Sequence, residues 1–523
     1  MKRLNGRQQP VLDVRNFSFS YDEIIEQPLF NRLNFTLNQN EITLLMGASG
    51  AGKSSLALCL NGLYPEAVEG TASGDIFFQG KNIQEFERGE LTKEIGIVFQ
   101  DPESQFCMIT VEDELAFTLE NRKIPASAIR KKIMEMLKAV GMEGFERHKI
   151  HELSGGEKQK IALAAVLLLE PKILILDEPT ANMDPLSSLE FIRLVEEIQN
   201  VPQMSVLIIE HQARDWFEMI DRILLIGRDG HLLADDVPKH LFTKQKRLLK
   251  REGVFLPGEF SEVPAFRESR TQTSPSAEYV LSVRGLSFSR RKQEVLKNVN
   301  MDVRCGEFVV IAGENGAGKS TLIQVMAGLL SPDAGEVFFS GRLLKKWKEN
   351  ELRKRMGFVF QNPEHQFITD TVYEELTFGM KRNGLSEQEM ETAAGELMEQ
   401  FHLKELASCN PFALSGGQKR RLSVATVLDA TPDILLFDEP TFGQDAATTM
   451  ELMDYIMALQ SKRKAIVFVT HDMDIADAAD RVVVFKEGEV AFDGIPDSLW
   501  QKEELIRRAR LRLPTRLRKK EGG

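Results

Sequence analysis

Four short apolar runs stand out along this chain: KILIL at 172–176, SVLII at 205–209, DILLF at 433–437 and AIVFV at 465–469. Near-continuous apolar segments of this length have no polar face, so they predict strands of a parallel sheet covered on both sides. Upstream, VLDVRNFSFSY at 11–21 and YVLSVRGLSFS at 279–289 predict β-rich openings. Each opening leads into an apolar strand, a glycine loop and an apolar helix, in EITLLMGASGAGKSSLALCLNGL at 41–63 and EFVVIAGENGAGKSTLIQVMAGL at 307–329. The predicted elements come twice, in one order.

The duplication extends to detail. GASGAGKSS at 47–55 answers to GENGAGKST at 313–321, LSGGEKQK at 153–160 to LSGGQKRR at 414–421, and ILILDEPT at 173–180 to ILLFDEPT at 434–441. An octapeptide, FQDPESQF at 99–106, returns as FQNPEHQF at 360–367. Matched positions lie 260 to 266 residues apart, which implies two duplicated domains. Length agrees, because the 523 residues exceed the ~250 to 300 that one hydrophobic core holds. The expected boundaries are 1–243 for the first domain, 244–278 for a polar, proline-bearing linker, 279–500 for the second domain and 501–523 for a basic tail. As a flexible coil the linker would span roughly 30 to 35 Å, enough for two domains to meet face to face.

Composition narrows the function classes. Hydrophobic content of 42% and charged content of 28% are those of a soluble globular protein. A net charge of -12 argues against a protein whose main task is to hold nucleic acid. The C-terminus departs from that balance, with Arg507, Arg508, Arg510, Arg512, Arg516, Arg518, Lys519 and Lys520 close together. This reads as a solvated tail or as a contact for anionic lipid headgroups, at about 1 kcal/mol per basic group. Cys59, Cys107, Cys305 and Cys409 form no CxxC pair, so neither a zinc site nor an iron-sulfur cluster is expected, and a reducing cytosol fits. MKRLNGRQQP lacks the apolar stretch of a signal peptide, and the longest apolar run, 161–169, falls short of the ~20 residues that cross a bilayer. A membrane role is expected only through a partner.

The chemistry lies in the repeated motifs. GxxxxGKS between a strand and a helix is a phosphate cradle: glycines let backbone N–H groups approach phosphate oxygens, and the helix N-terminus favours negative charge. The cradle residues are Gly47, Ala48, Ser49, Gly50, Ala51, Gly52, Lys53, Ser54 and Ser55, and in the second half Gly313, Glu314, Asn315, Gly316, Ala317, Gly318, Lys319, Ser320 and Thr321. Lys53 and Lys319 would reach the β and γ phosphates of ATP, and Ser54 and Ser320 would hold Mg²⁺. Two carboxylates close a buried strand in each half. Asp177 and Asp438 would serve the metal, and Glu178 and Glu439 would polarise the attacking water. His211 and His471 each follow another apolar run, and their matched spacing suggests γ-phosphate contacts.

With LSGGE and LSGGQ added, nearly all of both halves resembles the nucleotide-binding domains of ATP-binding-cassette (ABC) proteins. The resemblance implies an α/β fold of two tandem domains, each a P-loop parallel-sheet core with an antiparallel β subdomain and a helical signature subdomain. It further implies that Ser154, Gly155 and Gly156 close on the ATP of the second half, and Ser415, Gly416 and Gly417 on that of the first, through intramolecular pairing of the domains. Tyr21 stands where the family stacks an aromatic ring on adenine, whereas the aligned residue is Arg290. The loops ANMD at 181–184 and FGQD at 442–445 depart from the family's usual pattern but keep Asp184 and Asp445. Both halves retain a full set of motifs, so two active sites with unequal rates are expected.

FQDPESQF with TVEDELAF, and FQNPEHQF with TVYEELTF, resemble the glutamine loop and adjoining helix of energy-coupling-factor importers of vitamins and transition metals. In that group Gln100 and Gln361 would contact Mg²⁺ and the attacking water. Glu103 and Glu364 would face arginines of an integral membrane energy-coupling component, itself joined to a substrate-binding membrane subunit, at the cytoplasmic face of the cell membrane. Alternatively Phe106 and Phe367 are core, and the glutamates are acids at a helix N-terminus. Asp101 against Asn362, and Ser104 against His365, suggest two unlike grooves. Resemblance brings thiamine or its hydroxymethylpyrimidine precursor to mind ahead of cobalt, nickel or cobalamin. The fused ATPase of a sugar importer and a ribosome-associated translation factor are the other classes, but the short, non-helical 244–278 segment lacks the long charged connector of the latter.

Overall fold

The computed structural model describes residues 10–21, 28–68, 70–87, 89–181, 183–199, 204–211, 213–255, 278–291, 293–428, 432–441 and 444–518. The chain divides into two compact units, parting at residue 261. In the first, a six-stranded sheet runs in the order Leu232–Asp236, Arg222–Ile226, Ile42–Gly47, Ser205–Ile209, Ile173–Asp177, Ile95–Val98, parallel except at the Leu232–Asp236 edge. The runs read as two-sided strands are so: every residue of Ile173–Asp177 and Ser205–Ile209 is buried. A separate antiparallel sheet takes the order Phe30–Asn38, Pro10–Tyr21, Gly70–Phe78, Lys81–Asn82.

The second unit repeats this arrangement. Its six strands run Met356–Val359, Ile434–Asp438, Ala465–Val469, Phe308–Gly313, Arg481–Lys486, Glu489–Gly494, and its antiparallel sheet Gln293–Arg304, Tyr279–Arg290, Ala334–Phe339, Arg342–Leu343. In each unit three helices form a further group: Val111–Asn121, Ala126–Ala139 and Gly155–Leu167 in the first, Val372–Arg382, Glu387–Gln400 and Gly416–Thr426 in the second. They hold together through buried stripes such as Leu115, Leu119, Ile133 and Leu137. The α/β architecture with an antiparallel sheet and a helical subdomain is as expected.

Two boundaries need correction. The first domain does not stop at 243: Lys246–Arg251 is helical and buries Leu249, and Val254 is buried beyond it. The lysines and arginines of KQKRLLKREGVF hide an apolar edge that packs on the core, a pattern too short to register as periodic. Nor is the tail from 501 a solvated appendage. Glu503–Arg508 is a helix, and Ile506, Ala509 and Leu511 join the core of the second unit. Arg516 pairs with Asp477 and Asp497, and Arg507 with Glu504, so these cations answer local carboxylates. The two corrections concern one repeated element, since Val254 N–H donates to Leu249 O and Leu511 N–H to Ile506 O, both at 2.9 Å. The remainder of the expected linker, 256–277, and Lys519 and Lys520 lie outside the described residues.

Candidate active site

The glycine loop of each unit leaves the central strand and enters a helix at its lysine, Lys53–Leu60 and Lys319–Met326. Gly52 and Gly318 precede these helices at φ 81° and 102°, a left-handed backbone that favours glycine. Gly47 and Gly313 are required for a different reason: a Cβ would lie 2.5 Å from Ile226 O in one case and 2.1 Å from Phe485 O in the other. The lysines turn back on their own loops. Nζ of Lys53 donates to Gly47 O and Ala48 O at 3.0 Å, and Nζ of Lys319 to Gly313 O and Glu314 O at 2.8 Å. Burial lowers the Lys53 pKa, against the charges of Glu178 and Asp177. A phosphate placed in the loop would offset the cost that burial puts on the Lys53 charge.

At the strand ends, burial pushes Asp177 and Asp438 up to about 6, against hydrogen bonds from Ser54 and Ser320. Ser320 Oγ donates to Asp438 Oδ1 at 2.9 Å. The next residues, Glu178 and Glu439, hold left-handed backbones at φ 44° and 47°, a strain of about 1 to 3 kcal/mol that persists only where neighbours fix it. Those neighbours are the adjacent strands: Glu178 N–H donates to Ile209 O at 2.9 Å and Glu439 N–H to Val469 O at 3.0 Å.

Side chains then bracket each carboxylate. Gln100 Nε2 donates to Glu178 Oε2 at 2.8 Å, while His211 Nε2 meets Oε1 at 2.8 Å. In the second unit Gln361 stands 3.5 Å from Glu439 Oε2, and His471 Nε2 lies 2.9 Å from Oε1 but off the hydrogen-bond direction. Burial alone would raise both glutamates, but His211 with Lys53, and His471 with Lys319 and Arg420, hold them below the ordinary value. Each glutamate is thus kept ionised inside a buried site, the state a base requires.

The signature motifs are helix starts. Ser154 and Ser415 cap Gly155–Leu167 and Gly416–Thr426, each in a reciprocal capping box, with Glu157 in one and Gln418 in the other. Gly155, Gly156, Gly416 and Gly417 form the first turns, where free N–H groups and the helix dipole favour an anion. The octapeptides lie beside these helices. Asp101 and Asn362 both cap a short turn, accepting from Glu103 N–H and Glu364 N–H at 3.0 Å, so that difference is neutral in structure. Glu103 and Glu364 are exposed, yet Glu103 pairs with Lys158, and Glu364 with Lys419 at 2.6 Å. Phe367 is buried in the core of the second unit, and Phe106 packs in part against the core of the first.

Tyr21 OH lies 2.8 Å from Ser55 Oγ, and Tyr64 packs edge-on against its ring at 6.1 Å, a neighbour with no sequence signal. Arg290 ends its strand exposed. Three other groups escaped the sequence reading. Glu114 and Glu375 are buried beneath the octapeptides and accept two backbone N–H groups each, from Cys107 and Met108 and from Ile368 and Thr369, at 2.8 to 2.9 Å. Glu210, buried beside His211, accepts from Thr180 Oγ1 at 2.6 Å. Arg420, 3% exposed, donates to Phe360 O at 2.5 Å and to Gln361 O. Matched copies, TVEDE at 110–114 and TVYEE at 371–375, carried the signal for the first pair. Asp184 accepts from Ser187 Oγ at 2.7 Å and Asp445 is buried; Asn182, Gln212, Phe442 and Gly443 lie outside the described residues.

The residues fit a magnesium ion. Asp177 Oδ1 is buried with no hydrogen-bond partner among the described residues, a lone pair waiting for a cation. Among the described residues no cluster of three or more acidic, histidine or cysteine side chains forms a cage of its own. Ser54 or Ser320, Asp177 or Asp438, and Gln100 or Gln361 would hold the ion through oxygen atoms, the donor type Mg²⁺ takes.

Residues 30–181 and 296–442 each match the family model described as ABC transporter. The chain is 44% identical over 525 residues to the "Putative HMP/thiamine import ATP-binding protein YkoD" of Bacillus subtilis, covering 96% of this chain and 95% of that protein. It is 34% identical over 545 residues to a "Putative ABC transporter ATP-binding protein" of Methanosarcina mazei, over 96% and 92% of the two chains. Among solved structures, cbiO1 from Clostridium perfringens, part of the ABC transporter complex cbiONQ, is similar at 34% identity and a TM-score of 0.40, over 45% of this chain and 96% of that one.

Proposed function

The chain belongs to the ABC transporter family, with an ATP-binding cassette in each half, and from that premise we propose that it hydrolyses ATP at two sites to drive thiamine or hydroxymethylpyrimidine import through separate membrane subunits. The observation that carries the chemistry is the ionised, strained glutamate held between a glutamine and a histidine behind a phosphate loop, in both units. Glu178 and Glu439 take the proton of the attacking water. His211 and His471 steady the carboxylates and meet the γ-phosphate, and Lys53 and Lys319 leave their loop carbonyls for phosphate oxygens. Mg²⁺, held by Ser54, Asp177 and Gln100 or by Ser320, Asp438 and Gln361, would neutralise charge on the transferred phosphate. On the family resemblance, Ser154 completes the site of Lys319 and Glu439, and Ser415 that of Lys53 and Glu178. A covalent link between halves raises their effective concentration to the millimolar scale.

The solute is carried over from YkoD, which aligns across almost all of both chains. No described helix is long and apolar enough to cross a membrane, and the path is assigned to a separate membrane partner. The octapeptides are the proposed docking places, at the cytoplasmic face of the membrane. Beside them Met108, Ile109 and Phe117 are exposed in the first unit and Ile368, Tyr373 and Phe378 in the second. Glu103 and Glu364 would then receive partner arginines only by sharing or releasing Lys158 and Lys419.

The test is uptake. The chain, isolated with the membrane proteins that travel with it and placed in vesicles with ATP on its side, should take up labelled thiamine or hydroxymethylpyrimidine, and Glu178→Gln with Glu439→Gln should abolish this. Uptake of labelled cobalt or nickel instead would overturn the solute, and a chain without ATPase activity would overturn the function.

A further inference from the structure

The segment that follows His471 is a helix of six residues, Met473–Ala478. Its start is set locally: Asp472 caps it, accepting from Asp474 N–H at 2.8 Å, and Thr470 Oγ1 accepts from Asp472 N–H at 3.0 Å. So short a helix does not hold its own place, since isolated helices below ~12 residues are marginal. The C-terminal segment holds it instead. Asp474 accepts from Thr515 N–H at 2.6 Å and from Thr515 Oγ1. Asp477, 6% exposed, accepts from Arg516 Nε at 2.6 Å and Nη2 at 2.8 Å, and from Trp500 Nε1 at 2.7 Å. The same guanidinium reaches Asp497 at 2.6 Å, and Arg518 Nε donates back to Leu513 O at 2.7 Å. Leu511 anchors the segment in the core, with Leu513 and Leu517 packed against it.

We propose that residues 511–518 form a strap that positions His471 against Glu439, with Arg516 and Thr515 as its positioning residues. A planar, two-pronged guanidinium on a buried carboxylate fixes direction as well as distance. The clasp at Asp474 lies on the first turn of the helix that His471 leads into, three residues along the chain. His471 sits off the hydrogen-bond direction of Glu439, so its contact depends on where the helix is held. In the first unit the turn after His211, Arg214–Trp216, is plugged by its own Trp216, 1% exposed. The second site thereby carries a control that reaches it from the chain terminus. This inference rests on the hydrolytic role given above to Glu439 and His471.

The full chain and its Arg516→Ala, Arg516→Lys and Thr515→Val variants are compared for ATPase kcat and KM, nucleotide affinity and melting, at a temperature where circular dichroism shows each folded. Arg516→Ala should lower kcat about three- to tenfold with KM and nucleotide affinity within about twofold, Thr515→Val should act likewise but less, and Arg516→Lys, which keeps the charge without the two-pronged fit, should recover only part of the rate. Unchanged kcat in folded Arg516→Ala and Thr515→Val overturns the strap. So does a loss of nucleotide affinity in step with kcat, the mark of general destabilisation. A parent chain that hydrolyses no ATP overturns the hydrolytic reading itself, a result distinct from both.

Discussion

The two halves repeat their motifs and differ in what those motifs are tied to. In the first, the site closes on itself: Gln100 bonds Glu178 directly, and Glu210 links the His211 strand to Thr180 just beyond the glutamate. In the second, the glutamine loop is tied to the signature helix. Arg420 grips the carbonyls of Phe360 and Gln361, where Gln159 makes one bond, to Phe99 O at 3.1 Å. Gln366 Nε2 donates to Ser423 O at 2.8 Å and Thr426 Oγ1 at 2.6 Å, whereas Gln105 bonds its own loop at Phe99 N–H. Thr470, standing where Glu210 does, only caps the following turn. The lesson is that duplication preserves the groups that touch substrate while leaving free how motion is passed between them.

The largest effect tests what the halves share. Glu178→Gln and Glu439→Gln should each cut ATP hydrolysis by about tenfold or more, and the pair together nearly abolish it, since a general base contributes ~10² to 10⁴ in rate. Nucleotide binding should survive, measured by filter binding or fluorescence. Full activity in either single variant would break the picture of two coupled sites. A smaller effect separates the halves. Gln100→Ala removes a 2.8 Å hydrogen bond and Gln361→Ala a 3.5 Å contact, so the first should cost about tenfold in kcat and the second about threefold. Equal losses would show that the glutamines act on something other than the resting glutamate.

Much of this was legible beforehand because the chemistry is local. A phosphate loop, a strand ending in Asp-Glu and a helix opening on Ser-Gly-Gly each need contiguous residues, so Lys53, Glu178 and Ser154 could be read off one short window apiece. Apolar runs such as Ile173–Asp177 carried the sheet because burial on both faces leaves no other pattern. Arg420 and Glu210 were not legible, since a charged side chain in a helix or at a strand end looks solvated until the fold supplies carbonyls or a hydroxyl from far along the chain. The strap escaped for a related reason: six arginines and two lysines masked Ile506 and Leu511, and the carboxylates that answer Arg516 lie 39 and 19 residues away. The lysine partners of the octapeptide glutamates were not legible either, being 55 residues distant.

The signature-helix tie gives a stability contrast. Burial lowers the Arg420 pKa to about 10, against Asp438 and Glu439, and the group remains charged at neutral pH. Arg420→Ala removes two bonds from a buried charged donor and should cost about 2 to 3 kcal/mol, against about 1 kcal/mol for Gln159→Ala, because hydrogen bonds to a charged donor are worth roughly twice neutral ones. Arg420→Gln should recover part of the loss, as the first half demonstrates that glutamine fits there. Denaturant midpoints of the variants check the order; equal midpoints for Arg420→Ala and Gln159→Ala would show that the second tie is no stronger.

The smallest effect is a pH dependence that belongs to one half. Burial pushes Glu210 up from 4.5 to about 8, against the hydrogen bonds from Thr180, with the charges of Glu178 and Asp215 adding to the rise. A carboxyl whose folded value lies above its unfolded value favours the folded state while protonated. Its contribution is full below about pH 4.5 and is lost as pH climbs through about 8. Water entering as the group ionises leaves part of that shift in stability, on the order of 1 kcal/mol, or ~2 to 4 °C. Glu210→Gln keeps an acceptor for Thr180 and removes the titration, so the melting gap between variant and parent should move by that amount in the variant's favour from pH 5 to pH 9. Thr470 offers the second half no titrating group, so Thr470→Ser should leave the gap flat across the same range. A flat gap for Glu210→Gln as well would mean that its carboxyl ionises as freely in the folded chain as in the unfolded one, and the two strand ends would differ in shape alone.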